Sequence, residues 1–344
     1  MTPTRQSVSP GKLWGMRRLA DEKGLWKMVA IDQRTPMFGP IAAKRGTATA
    51  PTEDVVRVKQ LLARHLTAQS SALLMDPHLA YADSIGELPA HRGLMLSHEH
   101  SETENTPGGR KSVPIPGWSV AKARRIGADA VKVLVWYRAD AAPDVRAHQE
   151  AFVRAAAEEC AKHDIVMLLE VLVYPLPGED PASLTPRRTQ LVLDSIRPFC
   201  DPALGIDIYK LEPPGPISGV PASDGKDASA LQKAYDQMAA MVPGPWVMLS
   251  AGAGADDFEQ SLHYAYRSGA SGYLAGRAIW SEAFDAFPNY DKMETLLKTR
   301  SRDILDRLNA LTDAKAARWH DHRSFGGQHP VPAVQLGEFP RNYG

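Results

Sequence analysis

Neither sign of charge is in excess in this chain. Its 40 Lys and Arg offset 40 Asp and Glu. Such a protein has no general electrostatic claim on nucleic acid or on an anionic membrane, so any anion it binds must be held by a local site. Cysteine is almost missing. Cys160 and Cys200 stand far apart without metal-type spacing, which leaves no disulfide framework and no cysteine metal centre and reads as structural thiols in a reducing cytosol. No stretch approaches the roughly 20 apolar residues of a membrane span, and the N-terminus lacks the apolar core of a signal peptide. The expectation is a soluble cytoplasmic protein with no membrane or nucleic-acid partner.

What is present is an ordinary core composition, 44% apolar and 23% charged. The 344 residues exceed one average domain and suit a single large α/β barrel. Ser9-Pro10 predicts the start of a first helix and Gly24 its stop. Apolar runs then recur at 28–32, 72–76, 94–97, 130–136, 165–173, 206–211, 246–250 and 272–276. Most are nearly continuous rather than alternating, as in strands covered on both faces. Amphipathic stretches fall at 51–66, 118–127, 144–163, 186–199, 228–241, 255–268 and 290–311, with only the link between the second and third runs weakly helical. Eight alternating units predict a closed (β/α)8 TIM barrel. The expected division is an N-terminal helical segment (1–27), the barrel (28–319) and a Gly/Pro-rich tail (320–344), loose or draped on a neighbour. The tail and the Trp-bearing end suit self-association.

Barrel enzymes place chemistry at the carboxyl ends of the strands. Ionisable groups collect there: Asp32-Gln33-Arg34, Asp76, Glu99, Lys132, Glu170, Lys210 with Glu212, and Arg277. Lys132, Glu170 and Lys210 come from three neighbouring runs. Two ammonium groups in a partly desolvated pocket depress each other's pKa, and a neutral lysine attacks a ketone to form an imine. A nearby carboxyl group can shuttle the protons. A salt bridge from Lys210 to Glu170 or Glu212 is the structural alternative. LSAGAG (249–254) and LAGRAIW (274–280) follow the seventh and eighth runs, where barrels often bind phosphate. Ser250, Gly252 and Gly276 would supply close backbone approach and Arg277 a charged donor. His91, His98 and His100 cluster near the third run with His78 not far off. Spacing fixes no third ligand among them, and no metal is expected.

The blocks AIDQR (30–34), DAVKVLVWY (129–137), LLEVLVY (168–174), IYKLEPP (208–214), LSAG (249–252) and AGRAIW (275–280) resemble the class I tagatose-1,6-bisphosphate aldolase family, in order and spacing from about residue 10 to about 319. The resemblance implies a (β/α)8 barrel that needs neither metal nor cofactor. It implies cleavage of a ketose bisphosphate to dihydroxyacetone phosphate and glyceraldehyde 3-phosphate. Position by position, Lys210 matches the Schiff-base lysine, Glu170 the acid/base glutamate and Lys132 the lysine beside them. Asp32 and Gln33 match substrate contacts; Ser250, Gly252, Gly276 and Arg277 match the phosphate region. The loop after Lys210 (PPGPISGVPASDGKD), His98 at a position the family fills with an aromatic, and the tail all depart from the family pattern. These departures are expected around the mouth, so a sulfofructosephosphate aldolase and a non-catalytic sugar-phosphate-binding regulator stay open as alternatives.

Overall fold

The computed structural model describes residues 7–326 and 329–333. Eight apolar segments frame it: β1 (Trp26–Ala30), β2 (Ala72–Met75), β3 (Gly93–Ser97), β4 (Ala130–Trp136), β5 (Val166–Leu172), β6 (Ile208–Leu211), β7 (Trp246–Met248) and β8 (Gly272–Ala275). Each pairs in parallel with the next, and β8 pairs with β1 in register Gly272↔Trp26 through Ala275↔Val29, which closes the barrel. The expected (β/α)8 architecture is the observed one. The first run is displaced: the strand is 26–30, not 28–32, so Asp32 stands clear of the sheet at its carboxyl end.

The helices are α1 (Pro10–Leu19), α2 (Thr35–Arg45), α3 (Thr52–Leu66), α4 (Val120–Arg125), α5 (Pro143–Lys162), α6 (Arg188–Ile196), α7 (Ala228–Met241), α8 (Ala255–Arg267), α9 (Arg277–Asp285), α10 (Tyr290–Leu296) and α11 (Arg302–Lys315). Only a four-residue helix, Tyr81–Ser84, and a 3-10 turn link β2 to β3. Two helices escaped the sequence pattern. α2 carries Pro36 in its first turn, where the missing N–H costs nothing, and Pro40 one turn later. α9 starts inside the segment read as a phosphate loop.

Alternation within the strands sorts side chains between two cores. Met28, Ala30, Ala72, Leu74, Met95, Ala130, Val166, Leu168, Ile208, Val247 and Leu274 fill the lumen, joined from below by Leu13, Met16 and Leu19 of α1. The intervening residues pack outward beneath the helices. Thus α1 plugs the amino-terminal end of the barrel. It begins at Pro10 as expected, but ends at Leu19; Gly24, at φ +78°, instead sits in the turn that enters β1.

The described parts of the tail lie against the chain's own barrel floor. Trp319 stacks on Trp26 with ring centroids 6.0 Å apart, and Phe325 meets Trp319 edge-on at 5.6 Å. Val331–Pro332 pairs in parallel with Ser7–Val8. Residues 1–6, 327–328 and 334–344 of the expected terminal segments lie outside the described residues. Both cysteines are free thiols, Cys160 buried and Cys200 half-buried. Burial pushes Cys160 up to about 12 and Cys200 up to about 11.

Two outcomes follow for the floor. Trp319→Ala removes a buried ring from this stack and should lower stability by about 3–5 kcal/mol, read from the urea midpoint. His322 is half-buried and caps the turn Arg323–Phe325, its ring nitrogen Nδ1 accepting from the Ser324 N–H. Burial first, and the charge of Arg323 second, hold its pKa down at about 4. The unfolded chain therefore binds the extra proton between about pH 6.5 and pH 4, and stability must fall as pH drops through that window. In His322→Asn, whose side chain caps without titrating, Tm should fall less between pH 7 and pH 5 than in wild type.

Candidate active site

Along β4, β5 and β6 the inward face runs from apolar to charged toward the carboxyl ends. Ala130 is followed by Lys132, Leu168 by Glu170 and Ile208 by Lys210, each two residues further along the strand. Register makes Glu170 and Lys210 lateral neighbours and sets Lys132 beside Ser97. The Nζ of Lys210 donates to Oε2 of Glu170 at 2.9 Å, and the Nζ of Lys132 lies 3.1 Å from the same oxygen. The three expected residues therefore meet, and one carboxylate oxygen joins both amines.

The wider cluster went unseen in the sequence. Lys132 also donates to Asp32 Oδ2 at 3.0 Å and to Glu99 Oε1 at 2.7 Å. Ser97 Oγ donates to Asp32 Oδ2 at 3.0 Å, and the Leu134 N–H donates to Glu99 Oε2 at 3.0 Å. Arg34 donates to the Glu99 carbonyl at 2.9 Å and lies 3.7 Å from its carboxylate. Three cations (Lys132, Lys210, Arg34) thus face three carboxylates (Asp32, Glu99, Glu170), all buried. Asp32 had been expected to touch substrate; here its carboxylate is bound to Lys132.

This arrangement corrects the expected mutual depression of two ammonium groups. Burial does press Lys132 toward neutrality, but Asp32, Glu170 and Glu99 outweigh it and hold its pKa above the ordinary lysine value. Burial likewise favours protonated Asp32 and Glu170, yet the charges of Lys132 and Lys210 win and set both below the usual carboxylate range. Lys132 is a fixed cation among fixed anions. Glu212 takes no part: its oxygens accept from the Val173 N–H at 2.6 Å and from Arg188 at 2.5 Å, and burial pushes its pKa up. Of the two salt-bridge partners weighed for Lys210, the structure selects Glu170.

The segment after β1 is pinned by another residue that spacing did not reveal. Lys59 of α3, fully buried, donates to the carbonyls of Ile31 at 2.6 Å and Gln33 at 2.7 Å and pairs with Asp76 at 2.7 Å. Its signal was faint: a lysine on the apolar phase of an amphipathic helix. Asp76 also accepts from the N–H groups of His78 and Leu79, so it caps a turn outside the cluster.

The glycine-rich loops after β7 and β8 converge beside this cluster. Ala251 and Gly252 both take positive φ, +50° and +85°. Gly254 caps α8, and Gly276 caps α9. A Cβ on Gly252 would lie 3.5 Å from the exposed Arg277 guanidinium, which therefore stands over the loop. A Cβ on Gly276 would lie 2.6 Å from the Ala30 carbonyl and 2.8 Å from Gln33 Nε2, so the close crossing of β8 over β1 requires glycine there. Ser250 is buried under the same turn. Two helix N-termini and a guanidinium at one spot are suited to an oxyanion.

The histidine cluster dissolves in three dimensions. His91 precedes β3 at the floor side, whereas His98 and His100 follow it at the mouth. His98 packs on Phe152, and His100 Nδ1 contacts the Glu102 backbone. Among the described residues no three His, Cys, Asp or Glu side chains converge in a way that would hold a metal ion.

A closed parallel barrel with amines and carboxylates buried at the carboxyl ends of its strands has the layout of a barrel enzyme's active site. Residues 27–282 match the sequence pattern of the DeoC/LacD family aldolases, and the chain belongs to that family: it is an aldolase, a carbon–carbon lyase. The tagatose 1,6-diphosphate aldolase of Listeria monocytogenes serotype 4a (strain HCC23) is 30% identical over 336 residues, covering 94% of this chain and 98% of its own. Tagatose 1,6-diphosphate aldolase 2 of Enterococcus faecalis is 28% identical over 331 residues, 91% of this chain and 97% of its own. Among solved structures, the fructose-bisphosphate aldolase of Plasmodium falciparum in complex with TRAP has a TM-score of 0.65 at 12% identity, over 91% of this chain and 98% of its own. An archaeal fructose-1,6-bisphosphate aldolase whose catalytic lysine carries a carbinolamine intermediate has a TM-score of 0.55 at 13% identity, over 88% and 99%. These two likenesses establish a shared fold.

Lys132→Met would leave Asp32, Glu99 and Glu170 without their common cation. Stability at pH 7 should drop by about 3–5 kcal/mol, because an uncompensated buried charge costs more than a missing pair. The deficit should shrink in acid, where the carboxylates take up protons. Denaturant melts of both proteins at pH 7 and pH 5 measure it, and an equal deficit at the two pH values would contradict the charge assignment.

Proposed function

We propose that this aldolase is of the imine-forming class I type and cleaves a ketose bisphosphate, tagatose 1,6-bisphosphate foremost, to dihydroxyacetone phosphate and glyceraldehyde 3-phosphate. The observation that supports this reading is the 2.9 Å contact between the Lys210 amine and the Glu170 carboxylate, buried at the barrel mouth. Lys210 yields a proton to Glu170 and attacks the C2 ketone. Glu170 returns that proton to the carbinolamine hydroxyl, which leaves as water and gives the iminium. Ionised again, Glu170 takes the proton of the C4 hydroxyl. The C3–C4 bond breaks, its electrons flow to the iminium nitrogen, and the aldehyde departs from an enamine. Protonation at C3 and hydrolysis of the imine regenerate Lys210 and release the ketone product.

Lys132 serves this sequence as a permanent cation. Held charged by three carboxylates, it keeps Glu170 ionised and in place. Asp32 and Gln33 border the same space. Ser250, Gly252, Gly276 and Arg277 anchor one phosphate, so that binding energy remote from the breaking bond orients it. The reaction on this route needs no metal and no cofactor, and its setting is the cytoplasm. Lys210→Ala should lose all detectable cleavage. Borohydride with substrate should add a three-carbon phosphate fragment to wild type alone, read by intact mass. Turnover retained in the mutant would sink the imine. A panel of tagatose, fructose and sulfofructose phosphates ranks the substrates.

A further inference from the structure

Arg110 is a cation for which the described residues supply no anion. It sits on the second arm of a hairpin, Glu104–Thr106 paired with Gly109–Lys111, inserted between β3 and α4. Its guanidinium lies 5.0 Å from the Trp136 ring centroid and 4.9 Å from that of Tyr174. The two rings meet edge to face, 6.2 Å apart and 81° inclined. The guanidinium is therefore stacked against aromatic rings, a mode that covers its faces and leaves in-plane N–H groups as donors. Burial holds its pKa below the ordinary arginine value, and among the described residues no carboxylate bonds to it.

The mount is built with care. The Arg110 N–H donates to Tyr174 Oη at 2.9 Å. Gly109, at φ +137°, passes so close that a Cβ there would lie 2.4 Å from the same oxygen. The Tyr174 carbonyl accepts from Arg138 at 2.7 Å and the Trp136 carbonyl from Gln149 at 2.8 Å. Trp136 ends β4 on the inward face of Lys132, four residues or about 13 Å further toward the mouth. In the closed ring β4 lies opposite β8, which leads to Arg277, and β6 with Lys210 lies midway between them. The strands that lead to the two guanidinium groups thus stand across the ring from each other, with the strand of Lys210 between.

We propose that Arg110 binds the second anionic group of the substrate, the phosphate or sulfonate at the end of the sugar remote from Arg277. This assignment rests on the aldolase reading above and makes Arg110 a specificity-determining residue: it selects sugars charged at both ends. A fork of N–H donors backed by aromatic faces suits a tetrahedral oxyanion better than an ammonium would.

The test compares Arg110→Gln with wild type on ketohexose 1,6-bisphosphate and on the 1-phosphate lacking the distal anion. The ratio of kcat/KM for bisphosphate over monophosphate should fall about 10- to 100-fold, the range of a lost charge-assisted contact. Arg110→Lys should recover part of it. Equal losses on both substrates, or no loss on the bisphosphate, would overturn the assignment. A second readout needs no turnover: calorimetric binding of hexitol 1,6-bisphosphate, which has no ketone to react. Binding weakened by Arg110→Gln sustains the anchor even if wild type cleaves nothing, an outcome that would sink only the aldolase substrate reading. Equal affinity in the two proteins refutes the anchor.

Discussion

One ammonium group organises the upper half of this barrel. Lys132 is buried among Asp32, Glu99 and Glu170, at 3.0, 2.7 and 3.1 Å. Those carboxylates come from the ends of β1, β3 and β5, so a single cation ties together chain segments that the sheet alone would leave free to splay. Taking such charges out of water is expensive, and the cluster tolerates it because each carboxylate has the Lys132 amine of opposite charge beside it. Arg34 and Lys210 bring the charges level. The apolar floor supports this arrangement: Met28, Leu74, Met95 and Leu168 fill the lumen beneath it, so the polar groups occupy one layer and not the whole interior.

From that layer the chemistry follows without further parts. Lys210 lies at the barrel mouth beside a carboxylate that the cluster keeps ionised. A carboxylate pinned by one amine and shared with another is placed to receive and return a proton over a short path. The loops after β7 and β8 follow strands on one side of the ring, and the aromatic mount of Arg110 is built on the ends of β4 and β5. On the proposed reading the ends of the strands hold the reacting groups, while the loops decide what can reach them.

Much of this was legible in the chain. Strands buried on both faces read as unbroken apolar runs, so all eight could be found by eye, and a lysine closing the run Ile206–Leu211 stood out because burial should forbid it. Other parts could not be read. The prolines of α2 disguised a helix whose first turn accommodates them. The role of Lys132 was misjudged because its partners Asp32 and Glu99 sit in loops distant in sequence, and charge balance in space leaves no periodic trace. Lys59 lies on the apolar phase of α3, but nothing in the sequence told which backbone carbonyls would meet it until α3 was seated against the end of β1. His91 and His98 are close in sequence but separated by the length of β3.

At the floor, Ser7–Val8 runs parallel to Val331–Pro332 with nearly the whole chain between them. No hairpin can make such a pair. The loop it closes is about as long as the protein allows, so its entropy is affordable only when the barrel has already drawn the two ends together. The pairing therefore acts as a latch that records completion. A truncated or half-assembled chain has nothing to fasten, and the Trp26 face stays open until Trp319 stacks on it.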